Sequence, residues 1–180
     1  PILSALGTRE PYHAEAVPFV GGSDHQLFDD GRIGIPGVML CYWPDPYIHS
    51  SDDDLWQIDR TQLKRSAFII GGSACFIASA GEAEVPRLAG LLMAGAQKRL
   101  ARDSAAALLL IHDESERTKV GRYKDACVLL DEAGKRELDS LDSARVFAEA
   151  GGSGEKLLKS ARQQIELLIK SLRANLDSFY

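Results

Sequence analysis

The chain has 180 residues, of which 45% are hydrophobic and 26% charged, a composition typical of a globular protein with a buried core. Its net charge of -5 is unevenly distributed, since residues 1–80 carry 5 basic and 10 acidic side chains and residues 81–180 carry 16 of each. The sequence shows no basic patch interleaved with aromatic residues and no apolar run long enough to span a membrane. We therefore expect no nucleic acid and no membrane as partners, and an acidic first part suited to a metal ion or a cationic amine.

The first part of the chain is predicted to contain a strand and a long helix. Ser23 is typical of a helix N-cap before a short turn. The apolar run Val38–Tyr42 is the strongest strand candidate and indicates a buried strand. Apolar residues then recur at helical spacing, which predicts a helix from about Arg60 to Ala80, beginning after Asp54 or Asp59.

A domain boundary is predicted at Gly81–Pro86, where the composition shifts and Pro86 fits the first turn of a new helix. Ala105–Ile111 is compatible with a helix or a strand, and its neighbours favour a helix. Gly134 is expected to end a helix, and the run 151–154, Gly-Gly-Ser-Gly, is expected to be a flexible break. The remaining predicted helices are Arg87–Arg102, Lys119–Ala133, Leu141–Ala150 and Glu155–Phe179.

The last predicted helix carries an apolar stripe with alternating spacings of three and four residues. Such a stripe has to be buried, either against the other helices or against a second copy of the chain. We expect a homo-oligomer, with folding back onto the other helices as the alternative. The stripe consists of Leu158, Ala161, Ile165, Leu168, Leu172, Leu176 and Phe179.

His49 is the leading candidate for a metal ligand. It lies on a short loop after the predicted strand, four residues before Asp53, so carboxylates are close by. The end of a strand is where open α/β sheets place their chemistry. A capping or surface histidine is the alternative for His49. For Asp53 the alternatives are a carboxylate that orients the imidazole and a helix-capping group, and capping is favoured for Asp52 and Asp54.

Two further groups are candidates for substrate contacts. Trp43 and Tyr47 flank the His49 loop and would form an apolar wall, or simply pack the loop. Ser23, Asp24 and His25 are adjacent in the chain, so their side chains point apart and do not form a catalytic triad.

The order of several motifs in this part of the chain resembles that of one family. The motifs are Ser-Asp-His at 23–25, Phe28, Gly-Ile-Pro at 34–36, the apolar run, and His-Ser-Ser at 49–51 before Asp53. They are similar to the end of the catalytic domain of the co-catalytic di-zinc exopeptidases, which include bacterial leucyl aminopeptidases and glutamate carboxypeptidase. The resemblance covers roughly residues 20–80. It implies that His49 ligates one zinc, that Asp53 stands for the family's trailing aspartate, and that Ser23, Asp24 and His25 lie beside the substrate. Val20 departs from the family, since some members carry a carbonyl-polarising tyrosine there.

The family's other metal ligands and its general base belong to upstream His-x-Asp and Glu-Glu motifs, and only residues 1–22 precede Ser23. We therefore expect the C-terminal part of a longer zinc aminopeptidase, with two zinc ions per full-length chain, one ligand here and no catalytic residue of its own. The expected fold is an α/β fragment over residues 1–80, the last strand and helix of the catalytic domain. A mostly α-helical region follows over residues 81–180, so that helix dominates overall.

The expected substrate is a peptide, hydrolysed at its N-terminal residue. An acidic site suits a free α-amine, and no arginine near the motifs is placed to hold a carboxylate. The fragment alone is expected to be inactive. The alternative function is a helical oligomerisation or interaction module without catalysis, because more than half of the chain is predicted to be amphipathic helix.

Overall fold

The computed structural model describes residues 14–17, 20–28, 33, 35, 37–112 and 118–180. The chain divides into two compact units, Pro1–Ala78 and Ser79–Tyr180. Within the described residues the structure is mostly helical and contains no strand, which confirms that helix dominates. No single helix in these residues is long and apolar enough to cross a membrane, and only Arg60–Ser79 and Glu82–Ile111 taken together reach that length and apolarity.

The described part of the first unit contains two helices and one short 3-10 turn. Helix α1 is His25–Phe28, the 3-10 turn is Leu55–Gln57, and helix α2 is Arg60–Ser79. Asp59 caps α2, because its Oδ1 accepts hydrogen bonds from the N–H groups of the first turn, that of Thr61 at 2.7 Å among them. The helix predicted from about Arg60 is therefore present and begins at the second of the two expected caps.

The strand predicted over Val38–Tyr42 is not formed. Residues 37–42 have no regular secondary structure, and Val38 is 87% exposed. A strand exists only where a neighbouring strand pairs with its backbone N–H and C=O groups, and the described residues provide none. The α/β architecture expected for residues 1–80 is therefore absent from the described part of this unit.

The second unit is a bundle of three long helices with a common core. They are α3 (Val85–Ile111), α4 (Lys119–Ser143) and α5 (Ser153–Phe179), and each packs on the other two. All buried hydrophobic side chains among the described residues lie in this unit. Burial of one Leu or Ile stabilises the fold by about 1.5–3 kcal/mol. The largest hydrophobic side chains that are fully buried are Val85, Leu100, Ile111, Leu141, Leu158, Ile165 and Leu176.

Helix α4 does not end at Gly134, contrary to the prediction. It continues to Ser143, and Gly134 is buried inside it. A Cβ atom at this position would lie 2.9 Å from Cδ1 of Ile169 on α5. Glycine is needed here because the two helices approach closely, and not because the backbone turns.

The prediction of a helix over Leu141–Ala150 is also wrong. Leu141 belongs to α4, and a 3-10 turn follows at Ala144–Phe147. Ala148 then adopts an extended backbone and Gly151 has φ +75°, in the left-handed region that glycine adopts without a steric penalty. The apolar residues of this segment therefore belong to a helix end and a turn.

The apolar stripe of the last predicted helix is buried within the second unit. Leu158, Ala161, Ile165 and Leu176 are buried, and Leu168 and Leu172 pack against the core cluster that contains the first three. Phe179, at the end of the stripe, is exposed. The stripe is covered by α3 and α4, so it is not available as an interface between two copies of the folded unit.

A charged network joins α3 to α4. Glu137 is 1% exposed, and its carboxylate accepts two hydrogen bonds from Arg99, at 2.9 and 2.6 Å. Arg136 donates to Glu137 at 2.8 Å and to Asp103 at 2.8 Å, and Arg102 donates to Asp103 at 3.0 Å. The buried carboxylates are thus fully paired, while the arginines keep part of their surface in water.

Glu82 fastens the glycine-rich segment before α5. Its carboxylate accepts hydrogen bonds from the N–H of Gly154 at 2.7 Å, the N–H of Glu149 at 2.8 Å and the hydroxyl of Ser153 at 3.0 Å. The backbone hydrogen bonds, that from Gly154 first, lower the pKa of Glu82. The segment predicted to be flexible is therefore held at the N-terminus of α5 by a residue about 70 positions earlier.

Candidate functional site

The loop that carries His49 is built by hydrogen bonds within itself. The N–H of Tyr47 donates to Asp45 Oδ1 at 2.9 Å. The hydroxyl of Ser50 donates to the carbonyl oxygen of Tyr47 at 2.6 Å and accepts from the N–H of Asp52 at 3.2 Å. Such side-chain turns replace the pairing that a regular element would give to the backbone.

His49 lies at the apex of this loop with its side chain exposed. Its φ of +61° is in the left-handed region, which is uncommon for a residue with a Cβ atom and costs about 1–2 kcal/mol. The turn around it is closed by the N–H of Ser50, which donates to the carbonyl oxygen of Tyr47 at 2.9 Å. The imidazole is therefore presented from a defined backbone position.

Two residues of the acidic run after His49 take part in local hydrogen bonds, Asp54 through its side chain and Asp52 through its backbone. Asp54 caps the 3-10 turn, since its Oδ1 accepts from the N–H of Leu55 at 2.6 Å, as expected for a capping group. The carbonyl oxygen of Asp52 accepts from the N–H of Asp54 at 2.9 Å. Asp53 is exposed, and within the described part of the chain no hydrogen bond joins its carboxylate to His49. The role of Asp53 in orienting the imidazole stays a prediction.

Ser23, Asp24 and His25 lie together at the start of α1. The carbonyl oxygens of Ser23 and Asp24 accept from the N–H groups of the following turn, at 3.1 and 3.0 Å. His25 Nε2 lies 3.0 Å from the carbonyl oxygen of Val20. The three residues thus form a local turn, and Leu27 and Phe28 after them are exposed.

An aromatic contact lies at the His49 loop. Tyr47 packs edge to face against Trp56, with 5.9 Å between the ring centroids and 66° between the planes. Trp43, the other predicted wall residue, is 73% exposed. Trp56 was not predicted, because a contact across nine residues of a loop leaves no periodic signal in the sequence.

The donor set in the described residues is not sufficient to hold a metal ion. Within 14–17, 20–28, 33, 35, 37–112 and 118–180, no group of three or more His, Cys, Asp or Glu side chains is arranged to hold one. A zinc site requires three or four protein ligands. His49 would therefore need partners beyond those the described residues bring together.

No protein-family model matches the chain, and no curated protein or solved structure matches it significantly.

Proposed function

We propose that residues 1–80 are the C-terminal part of the catalytic domain of a zinc-dependent aminopeptidase, with His49 as a ligand of one of two zinc ions. The observation that carries the proposal is the presentation of His49. An exposed imidazole on a hydrogen-bonded loop, followed by carboxylates and preceded by an apolar segment, is suited to ligation. The order of the motifs at residues 23–53 gives this loop its expected place in such a domain.

Exposed apolar surface in the first unit supports the proposal that more of a domain packs there. Arg65 is the only buried residue among the described positions of Pro1–Ala78. A folded domain rarely leaves this many large apolar side chains in water. A sheet formed with the rest of a catalytic domain would pair residues 37–42 and cover this surface. Examples of these side chains are Val38, Tyr42, Leu63, Phe68 and Ile77.

Each candidate residue would contribute to zinc binding or to substrate binding. Two zinc ions, when bound, supply an activated water molecule for attack on a peptide carbonyl. The imidazole of His49 would ligate one of them, and Asp53 would orient the ring. Ser23, Asp24 and His25 shape the pocket that receives the N-terminal residue of the peptide. Trp43 and Tyr47 form its apolar wall, and the acidic excess of residues 1–80 attracts the free α-amine.

The experiment compares the 180-residue chain with the product of the full reading frame that contains it. The frame is expected to encode His-x-Asp and Glu-Glu upstream. The full-length product should hold about two zinc ions by elemental analysis and hydrolyse aminoacyl-nitroanilides. The 180-residue chain should show no turnover above its His49→Ala variant, even with added zinc, because one ligand cannot assemble the site. Full-length protein without zinc and without turnover would reject the proposal.

The second candidate function is a helical interaction module. It is favoured by the second unit, which closes a hydrophobic core of its own, and by an exposed apolar face on α2. Leu63, Ile70 and Ile77 are seven residues apart, so they lie on one side of α2, and all three are exposed. If the chain has this function, it self-associates through the α2 face and residues 1–80 have no catalytic role.

Self-association through α2 has a direct test. Light scattering coupled to size exclusion should give a mass near twice 19.6 kDa for the 180-residue chain, with Ile70→Glu/Ile77→Glu restoring the monomer. Leu91→Glu, on an exposed position of α3, is the matched control and should leave the dimer intact. A monomeric mass at all concentrations would exclude self-association as the function of the chain.

A further inference from the structure

Three arginines share two buried carboxylates where α3 packs on α4. Arg99 and Arg136 both donate to Glu137, and Arg136 and Arg102 both donate to Asp103. The carboxylate side chains of Glu137 and Asp103 are 1% and 11% exposed, whereas the arginine side chains are between 41% and 57% exposed. The network therefore has its negative charge inside the bundle and its positive charge at the surface.

The network contains one more arginine than its carboxylates require. Two guanidinium groups would neutralise Glu137 and Asp103, so the third is a surplus positive charge. Arg102 is the surplus group, because Asp103 would keep Arg136 as a partner without it. Among the described residues Arg102 donates one hydrogen bond, from Nε to Asp103 at 3.0 Å, so most of its N–H groups remain available to a ligand.

Arg99 is held in place and also keeps donors for a further acceptor. Its Nε and Nη2 donate to Glu137, and its Nη1 lies over Gly95, where a Cβ atom would be 2.9 Å away. The hydrogen bond to Glu137 raises the pKa of Arg99, whereas the neighbouring charge of Arg136 opposes this rise. A further anion at the surface would offset the repulsion between the two guanidinium groups.

Helix α3 extends the positive surface around this network. The helix has four basic residues and one acidic residue, Asp103, which is buried. The exposed Lys98 lies one turn before Arg102, so the two side chains are on the same side of the helix. The helix has no aromatic residue, so it lacks the stacking surface typical of a site for single-stranded nucleic acid.

We propose that Arg99, Arg102 and Arg136 form a binding surface for the carboxylates of an acidic protein segment. Guanidinium groups bind carboxylates through paired N–H donors, and donors that are already fixed by buried partners lose little side-chain freedom on binding. The single surplus charge matches a carboxylate, which is a monoanion, better than a phosphate dianion. Lys98 gives the next acidic residue of the segment a second contact. This surface lies in the second unit and does not depend on the zinc site.

The test is fluorescence anisotropy of a labelled octaglutamate peptide titrated with the 180-residue chain at low ionic strength. We expect Arg102→Gln to weaken binding by about 2- to 5-fold, the factor that corresponds to one exposed charge pair. Arg87→Gln is the matched control, because it makes the same charge change at an exposed position of α3 outside the network, and it should leave the affinity unchanged. Circular dichroism checks that both variants keep the helical fold.

Competition with unlabelled ligands identifies the chemistry that the surface prefers. Unlabelled octaglutamate should displace the labelled peptide, and free glutamate at the same carboxylate concentration should displace it much less. Equal displacement by free glutamate would overturn the proposal in favour of a small carboxylate ligand. Stronger displacement by inorganic phosphate or by a thymidine oligonucleotide would overturn it in favour of a phosphate ligand or a nucleic acid.

The variants can also overturn the proposal by themselves. Wild-type affinity in Arg102→Gln would show that the surplus arginine binds nothing. An equal loss in Arg87→Gln would show that the peptide responds only to the net charge of α3. A wild-type chain that does not bind octaglutamate at low ionic strength would likewise end the proposal.

Discussion

His49→Ala in the full-length protein is expected to lower the zinc content from about two ions to about one per chain. Loss of a partner that only orients a ligand already costs about 10–100-fold in affinity or activity, so loss of the ligand itself should reduce kcat/KM by more than about 100-fold. Elemental analysis gives the zinc content, and hydrolysis of an aminoacyl-nitroanilide gives the rate. The effect should be large because a histidine at the apex of a loop has no neighbouring histidine to replace it.

His112→Ala is the control for this experiment. His112 is an exposed histidine at the C-terminal end of α3 in the second unit, with no expected contact with metal or substrate. It should leave both zinc content and rate unchanged. Unaltered zinc stoichiometry in His49→Ala would show that His49 is not a zinc ligand. The order of motifs would then lack the metal ligand on which the resemblance depends.

Glu137→Ala should be the most destabilising single change in the charged network of the bundle. The substitution removes the carboxylate that Arg99 and Arg136 share and leaves a gap where a side chain is 1% exposed. We expect the free energy of unfolding to fall by about 2–4 kcal/mol, since both arginines remain partly in water and are not left as fully buried charges. Urea denaturation followed by circular dichroism measures this change.

The same network predicts how stability depends on pH. Burial alone would raise the pKa of Glu137, but the hydrogen bonds from Arg99 and Arg136 outweigh it and lower the pKa below the usual 4.5. Because the folded state holds the proton less tightly than the unfolded state, the stabilisation is fully present above pH 4.5 and is lost as the pH falls through the lower folded-state value. The wild-type bundle should therefore lose stability in acid more steeply than Glu137→Ala.

Glu132→Ala is the matched control, because Glu132 is exposed on the same helix. It should change the free energy of unfolding by less than about 0.5 kcal/mol and leave the acid transition in place. Equal effects of the two substitutions would mean that the paired carboxylate contributes nothing beyond helix propensity.

Helical periodicity predicted where the long helices lie but not where they are continuous. Periodicity predicts helix α5 almost to its ends because its apolar stripe runs along the whole helix. Helix α3 was divided at Asp103 and Ser104, two polar residues that interrupt the apolar pattern, yet both are buried, and Asp103 is paired with Arg136 of α4. A sequence pattern records the polarity of a residue and not the partner that satisfies it.

The strand and the site depend on contacts that a single segment cannot provide. Residues 38–42 have the composition of a strand, but pairing is a property of two strands, and the described residues offer no second one. The motifs predicted the position of the His49 loop, whereas its closure by Tyr47 and Trp56 and its left-handed backbone come from side-chain geometry. These features have no counterpart in residue spacing.

The hydrogen bonds between Glu82 and the glycine-rich segment before α5 have a practical consequence for protein engineering. Surface segments rich in glycine are usually chosen for inserting tags or for joining new termini, because they tolerate added chain. Here Cβ atoms at Gly152 and Gly154 would lie 2.8 and 2.7 Å from the carboxylate oxygens of Glu82, so the glycines provide space and not freedom of movement. An insertion between Glu149 and Gly154 would displace the carboxylate and free the first turn of α5, which makes this run one of the poorer sites in the bundle for grafting.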